Sequence, residues 1–163
     1  MAARYFSALK PRGNMRVIEA PMVPKTYVAN WFWADRKSTE KEPIGERIIE
    51  VPEDLEHFES RDSHATFIAY VPPGSLKRGE ILVRGKSPDR APACASCHGP
   101  DLRGLGAVPS IAGRSPSYVI RQLYELQTGV RRGPAAPPMK AAIEKLTMEE
   151  LISIAAYIAS RAP

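Results

Sequence analysis

Two hydrophobic rhythms divide the chain. Over residues 11–74, short β-branched or aromatic runs alternate with prolines. Arg16-Val17-Ile18-Glu19-Ala20-Pro21 and Arg47-Ile48-Ile49-Glu50-Val51-Pro52 echo each other, and residues 66–71 form a third run, stopped by Pro72-Pro73-Gly74. Each reads as a short strand, and residues 27–33 are rich in aromatics. The spacing predicts a proline-stiffened linker carrying a small β element that lies on a domain. From Ser75 the period lengthens to that of a helix: Leu76, Gly79, Leu82 and Val83 fall near one face, ending by about Gly85. Ser115-Pro116 is an N-cap with proline at the first helical position, opening a helix with Val119, Leu123, Tyr124 and Leu126 that runs towards Gly129. Thr147-Met148-Glu149-Glu150 has the form of a capping box, and Leu151, Ile154, Ala155 and Ile158 follow at i, i+3, i+4 and i+7. Residues 75–163 are therefore expected to be a helical domain and the chain as a whole to be mainly α, with an N-terminal linker containing short strands.

Composition narrows this picture. The 163 residues are 44% hydrophobic and 25% charged, which excludes a disordered or collagenous chain. Sixteen prolines against eleven glycines exclude a helical bundle from end to end. The net charge of +5 arises from interspersed signs, so nucleic acid is not an expected partner. No run approaches the roughly 18 apolar residues of a membrane-spanning helix. The first ten residues lack the apolar core and cleavage site of a signal peptide.

The chemistry concentrates at Cys94-Ala95-Ser96-Cys97-His98. With two cysteines and three histidines placed at random, this C-x-x-C-H string arises in about two shuffles per ten thousand. The spacing suits covalent haem: each thiol can add to one vinyl group, and His98 can reach the iron as proximal ligand. Two alternatives use the same cysteines. A zinc site would have to recruit His57, His64 and His98, which lack the spacing of a second ligand pair. A dithiol redox pair would need a strand and a helix N-terminus around the motif within a βαβ pattern, which the proline-rich approach does not offer.

With haem bound, the sixth position decides between electron transfer and ligand chemistry. Met139 is the candidate, because Gly133-Pro134-Ala135-Ala136-Pro137-Pro138-Met139 reads as an irregular loop able to carry a thioether across the haem face. Methionine with histidine gives a closed, raised-potential iron suited to electron transfer. An open position would instead mark a haem-based sensor or peroxidase-like domain. Pro109 lies in the glycine-rich stretch 99–113, where its carbonyl can accept the proton of the His98 nitrogen not bound to iron. Tyr118, Tyr124 and Arg131 are weaker candidates for the haem edge, while His57 and His64 read as solvated.

The stretch 75–163 resembles a class I c-type cytochrome, and more narrowly the C-terminal haem domain of bacterial di-haem cytochromes c. The resemblance rests on Gly79, on Cys94-Ala95-Ser96-Cys97-His98-Gly99-Pro100, on Val108-Pro109-Ser110-Ile111-Ala112-Gly113, on Tyr118 and Gln122-Leu123, on Gly129-Val130-Arg131, on Met139, and on the final helix with Ala156-Tyr157. It implies one haem c attached through Cys94 and Cys97, with His98 and Met139 as iron ligands, and crossing of the first and last helices near Gly79 and Tyr157. The stretch from 84 to 93 is longer than the family pattern. The implied role is an electron carrier rather than an enzyme, or an electron-transfer subunit of a redox enzyme complex. It would exchange electrons with a dehydrogenase, an oxidase or a membrane complex, with peripheral membrane contact, in the periplasm. Arg103, Arg114, Arg131, Arg132 and Lys140 flank the motifs and could steer an acidic partner. Arg4-Tyr5-Phe6-Ser7-Ala8 reads like Ala156-Tyr157-Ile158-Ala159-Ser160. In the light of the resemblance, residues 1–10 are expected to be the tail of a preceding haem domain, 11–74 the linker and 75–163 the cytochrome domain.

Overall fold

The structure, a computed structural model, describes residues 2–30, 32–37, 39–85 and 93–163. The first half follows the strand runs. After helix α1 (Ala2–Ala8) come β1 (Met15–Glu19), β2 (Met22–Pro24), β3 (Thr26–Ala29), β4 (Phe32–Asp35), β5 (Lys41–Pro43), β6 (Ile49–Pro52), the short helix α2 (Leu55–Glu59) and β7 (Phe67–Val71). The two echoing runs do not pair with each other. Both flank β7, with β1 parallel to it (Val17 opposite Ala69) and β6 antiparallel (Val51 opposite Ile68). β2 pairs with β5 and β3 with β4 as two-stranded antiparallel ribbons. Pro24, Pro43 and Pro52 each close a strand, where a residue without an amide proton costs the ladder least. Val23, Ile44, Ile49 and Val51 form a small core beneath these strands, covered by Ala20, Ile68 and Tyr70.

The second half contains α3 (Ser75–Arg84), α4 (Cys94–His98), α5 (Pro116–Gln127), α6 (Ala136–Ile143) and α7 (Met148–Ala159). Both capping signals read from sequence are formed: Ser115 Oγ accepts the Tyr118 amide, and Thr147 and Glu150 make the reciprocal box. α7 is buried on every side from Leu151 to Ala159. A helix apolar all round needs neighbours all round, and α7 has α3, α5 and the β1/β7 edge of the sheet against it. The α3/α7 crossing stands where the resemblance implied. A Cβ on Gly79 would lie 2.0 Å from the Ser153 carbonyl oxygen and 2.7 Å from Tyr157 Cβ, so no larger residue permits this approach.

The expectation of a mainly α chain does not hold. Helix accounts for 38% and strand for 20% of the structure, with seven strands in three sheets among the described residues, so the chain is α and β in sequence. The reason is the tight spacing of prolines and β-branched residues before Ser75, which excludes helix and supplies more strands than the three runs legible by alternation. The ribbons β2–β5 and β3–β4 were not among the expected strands. Part of the long approach from 84 to 93, residues 86–92, lies outside the described residues, as does Trp31 of the aromatic run.

Two carboxylates tie the halves together. Glu50 on β6 accepts Ser115 Oγ at 2.7 Å and the Ser117 amide at 3.3 Å, at the start of α5. Glu19 on β1 accepts the Leu76 amide at 2.7 Å, in the first turn of α3, whose own cap residue Gly74 has no side chain to do so. Both anions sit where a helix presents unpartnered amides and the positive end of its dipole.

Candidate functional site

Cys94, Cys97 and His98 occupy the single turn of α4, at i, i+3 and i+4, which places all three on one side of the helix. Both cysteines are free thiols; Cys97 is exposed and Cys94 partly buried. Burial, reinforced by the nearby Cys97, pushes the Cys94 thiol up to about 11, so it is a neutral thiol at physiological pH. His98 is only 6% exposed. Its Nδ1 lies 2.8 Å from the Pro109 carbonyl oxygen. A carbonyl can only accept, so Nδ1 donates, which leaves Nε2 as the ring nitrogen available to a ligand.

The loop after α4 is shaped to deliver that carbonyl. The Gly104 amide donates to the His98 carbonyl at 2.9 Å, and Leu105 and Val108 exchange backbone hydrogen bonds at 3.0 and 3.1 Å. Gly104 has φ +92°, and a Cβ there would stand 2.7 Å from the Val108 oxygen and 2.9 Å from the Ser110 nitrogen. Only glycine lets the loop close this tightly around Pro109. Leu102 anchors the other side. Its carbonyl accepts both the Ile111 and Ala112 amides, at 2.9 and 3.0 Å, while its side chain is fully buried. Leu102 achieves this with φ 61°, a left-handed backbone that costs a leucine of order 1 kcal/mol. Sequence reasoning passed over Leu102, and nothing in an ordinary leucine signals such a backbone.

Met139 is not in an irregular loop. It lies within α6, because Pro137 and Pro138 fall in the first turn, where amides have no partner inside the helix and proline is tolerated. Met139 is half-buried and packs against the same core as Cys94, Ala95 and Ile111. Ala136 and Ile143 are the buried residues of α6, so Met139 shares the inward i, i+3, i+7 face with them.

The structure thus joins His98 and Pro109 directly, and sets Cys94 and Met139 on one apolar core. Tyr118 and Tyr124 point outward from α5 and are about half exposed, and Arg131 is exposed. His57 and His64 sit beside Asp62 on the strand-bearing half, both largely exposed. No group of three His, Cys, Asp or Glu that could hold a metal ion exists among the described residues, so the zinc alternative finds no ligand set. The donor set fits haem c: two thiols on one helical face, an imidazole whose Nδ1 is committed to a carbonyl, and a thioether packed on the same apolar core, with Leu102 and Ile111, as Cys94. No described helix is long and apolar enough to cross a membrane.

Comparison with known proteins points the same way. The family model described as cytochrome C oxidase, cbb3-type, subunit III matches residues 84–158. A cytochrome c4 of Azotobacter vinelandii is 28% identical over 138 residues, covering 77% of this chain and 66% of the relative. The cytochrome subunit of sulfide dehydrogenase from Chlorobaculum tepidum is 34% identical over 87 residues, covering 53% of this chain and 69% of the relative. Among solved structures, reduced recombinant cytochrome c4 from Pseudomonas stutzeri superposes with a TM-score of 0.51 at 30% identity, over 56% of this chain and 50% of that one. The chain spans about two fifths to two thirds of the length of the cytochromes c4 it matches.

Proposed function

This chain belongs to the c-type cytochromes, haem-binding proteins of electron transfer, and from that premise we propose that it carries one haem c on Cys94 and Cys97 and works as a one-electron carrier. The observation that carries this reading is the buried His98 with its Nδ1 committed to the Pro109 carbonyl, beside two thiols on the same helical turn. The group supplies an iron that cycles between ferric and ferrous states.

The chain's own residues would set how that iron behaves. Cys94 and Cys97 fix the macrocycle edge to α4. His98 would hold the iron through Nε2, with the Pro109 carbonyl fixing the ring's rotation and raising its basicity. Met139 would hold the iron from α6, leaving no place for an exogenous ligand. Leu102 and Ile111 keep water from the histidine side. Residues 75–163 form the haem-bearing unit and 11–74 the strand-bearing linker that caps its helices. Partners would be a donor and an acceptor of redox type, a dehydrogenase, an oxidase or a membrane complex. The sulfide dehydrogenase relationship supports a place as the electron-transfer subunit of such an enzyme. The family's haem c chemistry supports a periplasmic location.

The test is a pyridine haemochrome assay with absorption spectroscopy on the haem-loaded protein. A thioether-type haemochrome that weakens in Cys94→Ala and Cys97→Ala is expected, as is a ferric band at the red end of the visible that disappears in Met139→Ala. Lack of the haemochrome overturns haem attachment. Lack of the red band, with ready carbon monoxide binding by the parent protein, overturns Met139 as ligand and leaves the open-site reading.

A further inference from the structure

α6 is a short helix with a demanding task. It has eight residues, of which Ala136 and Ile143 are buried and Met139 and Ala142 partly so. So little apolar burial does not fix the rotation of a two-turn helix well, and a thioether must be held to within a fraction of an ångström to bind iron. Its N-terminal side is held by the Ala136 amide on the Gly133 carbonyl at 2.9 Å and by the Arg131 amide on the Glu125 carbonyl at 2.9 Å. At the C-terminal side a different residue takes over. Gln127, the last residue of α5, aims its side-chain Nε2 at three backbone carbonyls: Ile143 at 3.0 Å, Glu144 at 3.4 Å and Leu146 at 2.8 Å.

Three carbonyl oxygens around one atom require a donor there, which fixes the amide with its NH2 inward. Ile143 is the last residue of α6, Glu144 its cap and Leu146 the end of the turn before α7, so the three contacts span the exit from the helix, where the Ile143 carbonyl also accepts the Leu146 amide at 3.0 Å. Gln127 therefore clamps the end of α6 to α5, one helical turn beyond Met139. We infer that Gln127 is a positioning residue for the axial methionine: it does not touch the haem, but its amide holds α6 in the rotation that keeps the Met139 sulfur on the iron. This rests on the Met139 reading above.

The experiment reads how easily Met139 yields to a competitor. Imidazole binding to the ferric, haem-loaded protein requires displacement of Met139, so its apparent affinity rises with the fraction of molecules in which the methionine is released. Gln127→Leu keeps size and removes the donors; Gln127→Glu sets a carboxylate against three carbonyls; Gln127→Lys restores donors on a long side chain. Losing two hydrogen bonds at this clamp is expected to tighten imidazole binding about tenfold in the Leu variant and more in the Glu variant. The Lys variant is expected within about twofold of the parent. The red band should weaken in the same order, with the haemochrome unchanged.

Parent-like imidazole affinity in Gln127→Leu and Gln127→Glu would overturn the inference, even where their urea midpoints fall, since that is what a merely structural clamp predicts. Tightening in all three variants, Lys included, would overturn donation as the cause. Met139→Ala separates this from the reading beneath it. If that variant binds imidazole no more tightly than the parent, the axial assignment has failed; if it binds far more tightly while the Gln127 variants do not, only the positioning role has.

Discussion

The two halves of the molecule are held together in opposite ways. The helical half is organised around one element: α7 is buried along nine consecutive residues, and α3, α5 and the sheet all lean on it. The strand-bearing half has no such centre. Its own core cluster is four aliphatic residues, and its edges are held by ion pairs and side-chain caps such as Arg47 with Glu42 and Asp54 with the His57 amide. The contrast teaches where a site that needs sub-ångström precision is built. The candidate site lies on the half organised around α7, while the polar half serves as its collar through Glu19 and Glu50.

The sharpest way to break the contrast is at the α3/α7 crossing. Gly79→Ala places a methyl group where the Ser153 carbonyl already stands, and should lower the urea-unfolding free energy of the helical half by about 3 kcal/mol. A loss under about 1 kcal/mol would mean that the two helices separate easily, and that α7 is not the rigid centre described.

Much of that centre was legible in the sequence. The capping box at Thr147, the Ser115-Pro116 start and the apolar spacing of α7 are local signals, written in adjacent residues. The C-x-x-C-H string marks the candidate site by a local signal of the same kind. What was not legible was set at a distance. α6 hid behind two prolines that usually mark a loop, and β7 between the echoing strands is a matter of pairing order, which alternation does not encode. The left-handed Leu102 and the Gln127 clamp depend on carbonyls brought in by folding, and no neighbour in sequence points to them. His98 and Pro109 fall between these cases: their pairing was expected, but the Gly104 turn that makes it possible is visible only in three dimensions.

The seam between the halves offers a smaller perturbation. Glu50→Ala removes the acceptor from Ser115 Oγ and the Ser117 amide, and is expected to cost about 1.5 kcal/mol. Amide hydrogen exchange should quicken in β6 and the first turn of α5 together. Faster exchange confined to β6 would show that the halves are independent and the seam incidental.

Acid should act on one half before the other. Glu53, Asp54 and Asp62 are all held below the ordinary carboxylate range, by Thr66 and Arg16, by the His57 amide, and by the His64 amide and ring respectively. All three lie in the strand-bearing half and are solvent-screened, so each contribution is small. A depressed carboxylate stabilises the fold above its unfolded value of about 4, and that stabilisation is lost as pH falls through the folded value. Titration from pH 5 to pH 2 should therefore loosen α2 and the 60–66 turn in hydrogen exchange while α7 stays protected. Simultaneous loss in both halves would erase the distinction.

Glu19 has a consequence in time as well as in space. A chain leaves the ribosome N-terminus first, at roughly 5–20 residues per second. When α3 emerges, its packing partner Ser153 on α7 is some seventy residues away from existing, a delay on the order of ten seconds. Glu19 on β1 and the whole of the β1-β7-β6 sheet are already made by then, so the Leu76 amide has a carboxylate to meet. The earlier half can thus act as a cradle wherever the chain emerges N-terminus first, from the ribosome or across a membrane, giving the first turn of α3 a fixed direction before the cysteines appear and before the helix that finally buries it.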